Sequence, residues 1–291
     1  MIKKITAKSS EERLDIYLSR IYSDYSRSYF QRLAKSGNIS VNGRIKAPSY
    51  LVKENDQIQI DFITQETKLI SEKKPLDIVY EDKDIIVVNK KPGIVVHPAC
   101  GHPKGTLLNA LIGYAERKYK PFLVHRLDKD TSGVIIVAKN ELSKNSLIKQ
   151  FQNRTIKKLY LTLVSGHIEE SKGRIEAPLG RSLKDRKKIA VGPAAKKMSI
   201  TEFKVVSRKD GFSLLEVNPL TGRTHQIRTH MAYIGHPVLG DQTYGGPVKL
   251  GNNIFNRQML HAYKIRIQHP TKHKSAEFAA KPPKDFKDFW Y

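Results

Sequence analysis

A single cysteine, Cys100, gives this chain no partner for an internal disulfide. The opening Met1-Ile2-Lys3-Lys4-Ile5 has none of the long apolar run of a signal peptide. Charges interrupt every hydrophobic stretch well short of a membrane span, and neither a concentrated basic amphipathic helix nor a lipidation motif is present. These absences predict a cytoplasmic protein with no membrane partner. There is also no Gly-x-Gly-x-x-Gly dinucleotide fingerprint and no phosphate loop ending in Gly-Lys-Ser/Thr. Internal repeats and low-complexity segments are missing as well.

What the chain has in excess is positive charge. Its 52 Lys and Arg against 28 Asp and Glu leave a formal net charge of +24. So basic a balance favours a polyanionic partner, with nucleic acid the leading one. The 291 residues suffice for a large single domain, or a medium one with a small appendage. Residues 1–63 hold 11 basic and 7 acidic residues, and the remainder holds 41 and 21. The larger part is therefore expected to grip most of the nucleic acid.

Residues 1–63 read as a small α/β domain. Leu14, Ile16, Leu18 and Ile21 carry helical spacing, and a second helix opens at Ser26 and closes near Gly37. Asn42-Gly43 is a strong hairpin turn between Ile39-Ser40-Val41 and Arg44-Ile45, and Gln57-Ile58-Gln59-Ile60 alternates as a strand. Arg27, Gln31 and Lys35, at i, i+4 and i+8, share one helix face while Phe30, Leu33 and Ala34 turn inward. That face suits a phosphate backbone, and a solvated polar face is the bland alternative. Two short helices, this basic face and the hairpin together resemble the small RNA-binding module of ribosomal protein S-four. The resemblance implies RNA contacts at Arg27, Gln31 and Lys35.

Residues 64–74 turn polar and aperiodic and read as a linker. From 75 to 291, strand-like runs such as Ile85-Ile86-Val87-Val88, Val134-Ile135-Ile136-Val137 and Tyr160-Leu161-Thr162-Leu163-Val164 interleave with helical segments around Thr106 to Tyr119, Glu141 to Asn153 and Thr224 to Tyr233. The rhythm is not a strict strand-helix alternation. It predicts an α+β domain on a mixed, mostly antiparallel sheet.

The densest polar cluster is His125-Arg126-Leu127-Asp128-Lys129-Asp130-Thr131-Ser132-Gly133, set directly before an aliphatic strand. Standing alone, it would most often be a turn. Asp128, Asp130, Ser132 and Gly133 match the first half of a calcium loop, but Lys139 occupies the twelfth position where a bidentate Glu is required. Zinc is disfavoured too: His225 and His230 lie about 140° apart around a helix, with no Cys pair or His-Glu-x-x-His beside them. No metal is expected, and His225 and His261 are expected to hydrogen-bond within the wall of an active site.

The nonapeptide resembles the signature of the RluA family of RNA pseudouridine synthases, and further motifs follow the family order. Upstream lie Lys90-Lys91-Pro92-Gly93-Ile94-Val95-Val96-His97-Pro98 and Gly105-Thr106-Leu107-Leu108-Asn109-Ala110-Leu111. Downstream come Lys158-Leu159-Tyr160-Leu161-Thr162-Leu163-Val164-Ser165-Gly166 and Leu220-Thr221-Gly222-Arg223-Thr224-His225-Gln226-Ile227-Arg228-Thr229-His230. Leu239-Gly240-Asp241-Gln242-Thr243-Tyr244-Gly245 and Gln258-Met259-Leu260-His261-Ala262 complete the series. With the amino-terminal module, the nearest branch is the RluD-like one that acts on large-subunit ribosomal RNA. The resemblance implies a pseudouridine synthase fold with a central cleft, structured RNA as partner, a monomer and no cofactor. The chemistry agrees, because isomerising uridine involves no net redox change and adds no group.

By the same resemblance Asp128 is the catalytic carboxylate. A carboxylate suits the first step as nucleophile or as base on the ribose. Burial favours its neutral form, so a cation is expected beside it, and Arg228 is carried over as that cation. Tyr160 matches the family tyrosine beneath the uracil, and Arg126 the arginine that fills the space a flipped base leaves. The stretch from Arg181 through Arg186 and Lys187 to Lys197 reads as a basic loop able to clamp phosphates. Tyr114 to Leu123 is short for the RluD-like branch, which leaves the particular uridine open. Competing readings are a non-catalytic RNA-binding or ribosome-assembly factor, opposed by intact Asp128, Tyr160 and Arg228; a methyltransferase, opposed by the missing Gly-rich loop; and a synthase acting on transfer RNA.

Overall fold

Leu14 and Leu18 bury one face of α1 (Leu14–Ile21), and Phe30, Leu33 and Ala34 bury one face of α2 (Arg27–Lys35). In the computed structural model, which describes residues 2–8, 10–23, 25–62, 70–98, 102–182, 185, 188–192, 197–209, 211–287 and 289, these faces share a core with an antiparallel sheet. Its strands are β1 (Ile2–Thr6), β2 (Ile39–Val41), β3 (Arg44–Ile45) and β4 (Gln57–Asp61), ordered β1-β4-β2-β3. The Ser26 side chain caps α2 by accepting from the Tyr29 N–H. Asn42 and Gly43, both at positive φ, turn the β2–β3 hairpin. β1 is an addition to the sequence reading. It is an almost wholly exposed edge strand, where Lys3 and Lys4 discourage pairing with another chain. These elements belong to one compact unit, Met1–Lys68, and the rest of the chain, Leu69–Tyr291, forms a second.

In chain order the second unit contains β5 (Ile78–Glu81), β6 (Ile85–Lys90), α3 (Leu107–Ala115), β7 (Phe122–Leu123), β8 (Ser132–Ala138), α4 (Glu141–Gln152), β9 (Lys157–Ser165), β10 (Lys172–Arg181), β11 (Ile189–Val191), β12 (Lys197–Lys209), β13 (Phe212–Pro219), α5 (Gln226–Tyr233), β14 (Lys249–Leu250), β15 (Asn253–Ile254), β16 (Leu260–Gln268), β17 (Ser275–Ala279) and α6 (Lys284–Lys287). One large sheet runs β11-β10-β12-β13-β9-β16-β8-β6-β5, with β17 beside β16 and β7 beside β8. Among the described residues its pairings are antiparallel except that of β8 with β16. The sheet is thus mixed and mostly antiparallel, as the sequence predicts.

The way β16 changes partners positions the site. It meets β8 at His261 and Ala262, and from Lys264 onward pairs with β17 instead. The halves of the sheet part where the Asp128 loop enters β8. Gly133 stands at this junction with φ 115°, and a Cβ there would collide with the Ala262 backbone, so only glycine permits the approach. β6 and β8 are buried over nearly their whole length, hence their unbroken aliphatic runs. β9 alternates: Tyr160 and Val164 join a core with Ile227 and Met231 of α5, while Leu161 and Leu163 face Met259 and Phe286.

Two helix ends differ from the sequence reading for a backbone reason. α3 stops at Ala115 because Glu116 and Arg117 adopt left-handed φ values of 44° and 65°. α5 begins at Gln226 because His225 is left-handed at φ 54°. Within the stretch expected as a linker, the described residues 70–74 hold to α3: Asn109 Nδ2 donates to the Ile70 carbonyl at 2.7 Å, and the Glu72 N–H donates to the Asn109 carbonyl at 3.0 Å.

Candidate active site

Asp128 stands in the loop between β7 and β8, whose main chain is tied down by two buried cations. Lys90 Nζ donates to the carbonyls of Lys91 (3.0 Å), Ile94 (2.9 Å) and Lys129 (2.9 Å). Arg257, gripped by Asp285 at 2.6 and 2.9 Å, donates through Nη1 to the Asp130 carbonyl at 3.1 Å. Burial pushes the Lys90 ammonium down to about 7, against the pull of Asp130 and Asp128.

Arg228 reaches Asp128 from α5. Its Nη1 donates to Asp128 Oδ2 at 3.2 Å, while Nε and Nη2 donate to the two oxygens of Asp241 at 2.6 and 2.8 Å. The Tyr244 ring lies 5.1 Å from the guanidinium carbon. The bidentate grip of Asp241 fixes the guanidinium plane, so that the remaining N–H has one direction in which to meet Asp128. Gly240, at φ 74°, lets the chain turn into Asp241 where a Cβ would collide with the Arg257 carbonyl. His225 adds a second contact: Nε2 is 3.8 Å from Asp128 Oδ2, and Nδ1 is 2.9 Å from the Tyr244 hydroxyl; that hydroxyl accepts from the Ile189 N–H at 3.0 Å. Burial lowers the His225 imidazole from its ordinary value, against the charge of Asp128. Burial thus favours the neutral imidazole in the polar wall that His225 shares with Asp128.

The cleft above this group encloses about 460 Å³. Tyr160, Ile156, Phe151 and Leu260 form its apolar side, and Arg126, Lys158, Arg223 and Asp128 its polar side. Burial raises the Tyr160 phenol well above its ordinary value, and Asp128 adds to the shift, so the hydroxyl is a neutral donor at physiological pH. Arg126 is exposed at the rim. A second hollow of about 550 Å³, lined by Val95, Val96 and His97, shares Arg126, Asp128, His225 and Arg228 with the first. Asp128 therefore stands on the ridge between two hollows, open to both.

The structure brings Asp128, Tyr160, Arg228 and Arg126 together. Arg27 and Gln31 have another engagement: both donate to Asp15 Oδ2, at 2.9 and 2.5 Å. Lys35 stays exposed at the end of α2. Arg181 is exposed at the end of β10, and its segment, read as a basic loop, belongs to a β10–β11 hairpin; Arg186 and Lys187 lie outside the described residues. His225 lines the cleft, but His261 lies beneath the loop, its Nδ1 2.9 Å from Ser132 Oγ and its Nε2 2.9 Å from the Ala280 carbonyl. It joins β16 to β8 rather than forming the wall. His230 turns to Thr201 at 2.9 Å. Ligand atoms of Asp82, Asp84 and His269 come within 4.8 Å of one another, but protein donors already hold them: Lys272, Tyr80 and His269 on Asp82, and Thr271 and Asn140 on Asp84. The sequence reading assigned no role to Asp241, Tyr244 or Lys158. The signal for Asp241 was present, since a buried Arg228 demands more than one acceptor and Leu239-Gly240-Asp241 supplies a carboxylate after a turn.

A family model described as RNA pseudouridylate synthase matches residues 84–233, and one described as S4 domain matches residues 12–58. Over 290 residues the chain is 41% identical to an uncharacterized RNA pseudouridine synthase, YlyB, of Bacillus subtilis (strain 168), covering 97% of this chain and 94% of the relative. It is 38% identical to the ribosomal large subunit pseudouridine synthase D of Haemophilus influenzae, covering 94% and 89%. Among solved structures, human RNA pseudouridylate synthase domain containing 1 superposes with a TM-score of 0.61 at 33% identity, covering 73% of this chain and 86% of that one. The matched span runs from β6 to α5 and so contains Asp128, Tyr160 and Arg228. With a cleft built on a split sheet and relatives that align along nearly its whole length, this chain belongs to the RNA pseudouridylate synthase family.

Proposed function

We propose that this RNA pseudouridine synthase acts on uridines of large-subunit ribosomal RNA, as a cytoplasmic monomer, and that Asp128 starts the reaction. The observation that carries the catalytic part is the state of Asp128, held by one Arg228 N–H at 3.2 Å and still 17% exposed on the ridge of the cleft. It keeps lone pairs for a reacting atom while its orientation is set. In the isomerisation the bond from N1 of uracil to C1′ of ribose breaks, the base turns, and C5 bonds to C1′. C5 then loses its proton and N1 gains one. Asp128 serves as nucleophile or ribose base in the first step. Tyr160 covers the uracil and keeps water from it, Arg228 orients the carboxylate, and Arg126 occupies the space left by the extruded base.

Relatives named for the large ribosomal subunit support the substrate, as do the amino-terminal module and the charge of +24. Lys35, Arg181, Arg186 and Lys187 are assigned to phosphate contacts, while Arg27 and Gln31 are engaged by Asp15. The test is tritium release from C5-labelled uridine. Large-subunit transcripts are expected to release tritium with the purified chain. Release from small-subunit or transfer RNA alone would overturn the substrate, and silence on every RNA and on ribosomal assembly particles would overturn the synthase itself.

A further inference from the structure

Lys158 is a half-buried cation in the wall of the cleft that uses only part of its hydrogen-bonding capacity. It precedes Tyr160 by two residues on β9, so the two side chains leave the same face of the strand, and both line the cleft. Of the three N–H groups on an ammonium, Lys158 uses one, donating to the Thr221 carbonyl at 3.3 Å. No carboxylate lies within salt-bridge distance of it among the described residues. Its neighbour His125 gives no anionic help. The Ile136 N–H donates to His125 Nε2 at 2.9 Å, and burial together with Lys158 pushes that imidazole down to about 3. Burial in turn pushes the Lys158 ammonium down to about 8. Contrast Lys90, which is fully buried and satisfied by three carbonyls. Lys158 thus brings a partly desolvated charge with donors to spare to the lining of the cleft a substrate enters.

We propose that Lys158 is a further substrate-binding residue, whose ammonium donates to an oxygen of the target nucleotide, a uracil carbonyl or the adjoining phosphate, and seats that nucleotide against Tyr160. The proposal rests on the synthase reading above. It assigns Lys158 a role in selection as well as affinity, because an ammonium accepts no hydrogen bond and so favours carbonyl over amino groups on the base. The other ionisable groups of the cleft are Asp128, His125, His225, Tyr160 and the arginines 126, 154, 223 and 228. Arginines stay charged, and burial already favours the neutral forms of His125, His225 and Tyr160. Within the cleft, Lys158 is therefore the group that changes charge between neutral and mildly alkaline pH.

The experiment compares wild type, Lys158→Met and Lys158→Arg on a large-subunit transcript whose modified uridine has been located with the wild type. It reads kcat/KM by tritium release, its pH profile, Tm, and the Kd for that RNA and for the same RNA with an abasic ribose at the target. Lys158→Met is expected to lower kcat/KM roughly 10- to 100-fold, the range for losing a hydrogen bond from a charged group, with no fall in Tm. Lys158→Arg is expected to restore activity in part and to move the alkaline limb of the profile upward; Lys90 is common to all three proteins and does not contribute to that difference. Weaker binding of the uracil-containing RNA alone identifies a base carbonyl. Equal weakening of both RNAs identifies a phosphate. Wild-type kcat/KM and both Kd values retained in Lys158→Met would overturn the proposal, as would a loss accompanied by a lowered Tm and no rescue by arginine. A wild type that releases no tritium sinks the synthase reading instead.

Discussion

Asp15 in the first unit and Asp128 in the second are both carboxylates held by arginine, but they are held differently. Asp15 is wholly buried and takes Arg13 through two nitrogens at 3.0 and 3.2 Å, Arg27 at 2.9 Å and Gln31 at 2.5 Å. Burial pushes its carboxyl upward, but these donors outweigh burial and hold it well below the usual carboxylate range. Asp128 takes one arginine N–H, and the rest of Arg228 is turned to Asp241. A buried carboxylate that accepts four hydrogen bonds fastens α1 to α2. One with lone pairs left over, in a cleft, has something to offer a reacting atom. The same residue pair, Asp and Arg, is a staple in one unit and a poised reagent in the other.

The comparison is tested most severely by removing each charge. Asp128→Asn is expected to lower turnover by at least about 10⁴-fold, the order seen when a catalytic group is lost, with RNA affinity essentially unchanged. Asp15→Asn is expected to leave kcat at saturating RNA at the wild-type value. Tritium-release kinetics on both variants decide this, and comparable turnover losses would erase the distinction. Next in size is Arg228→Lys, which keeps a positive charge but gives up the planar clamp on Asp241 and Asp128. A fall in kcat of about 10²-fold is expected from the misplaced carboxylate, with KM little changed. A kcat near wild type would mean that charge alone, without orientation, suffices at Asp128.

How much of this was legible in the sequence follows from what each feature depends on. Helical spacing in α1 and α2, the Asn42-Gly43 turn and the aliphatic runs of β6 and β8 are local, and the structure has them where the residues put them. Asp128, Tyr160 and Arg228 were reached through motifs, and their meeting in space is what the structure adds. The strands β10 to β13 were less legible, because they alternate polar and apolar residues with many lysines and arginines on the open face. Arg27 and Gln31 illustrate the limit well. Spacing places them on one face of α2, but it cannot say that Asp15 of α1 lies within hydrogen-bond reach of both.

Asp15→Ala should act on stability alone. Removing one partner of a buried ion pair typically costs about 3 kcal/mol or more, but Arg13 and Arg27 are 40% and 49% exposed and recover solvation, so about 2 kcal/mol is expected for the first unit. The pH dependence has a definite sign. The folded-state value of Asp15 is depressed, so its contribution is complete above the ordinary carboxylate range and is lost as pH falls through and below it. Urea unfolding at pH 7 and pH 3 is expected to separate wild type from Asp15→Ala at the first pH and bring the two closer together at the second. A gap that widens in acid would contradict the staple.

The smallest effect concerns two neighbours on one helix face. Lys35 is exposed at the end of α2 with its charge open to an RNA phosphate, whereas Arg27 donates to Asp15. Lys35→Ala is therefore expected to reduce the slope of log affinity against log salt by roughly one, with an unchanged unfolding midpoint. Arg27→Ala is expected to do the reverse, lowering stability by about 1 kcal/mol or less, since the guanidinium is half exposed, while leaving the salt slope nearly intact. Filter-binding titrations across salt concentrations, beside urea unfolding of the same proteins, read both quantities. Equal salt slopes lost by the two variants would show that Arg27 reaches phosphate with the half of its guanidinium that Asp15 does not hold, making one residue staple and RNA contact at once.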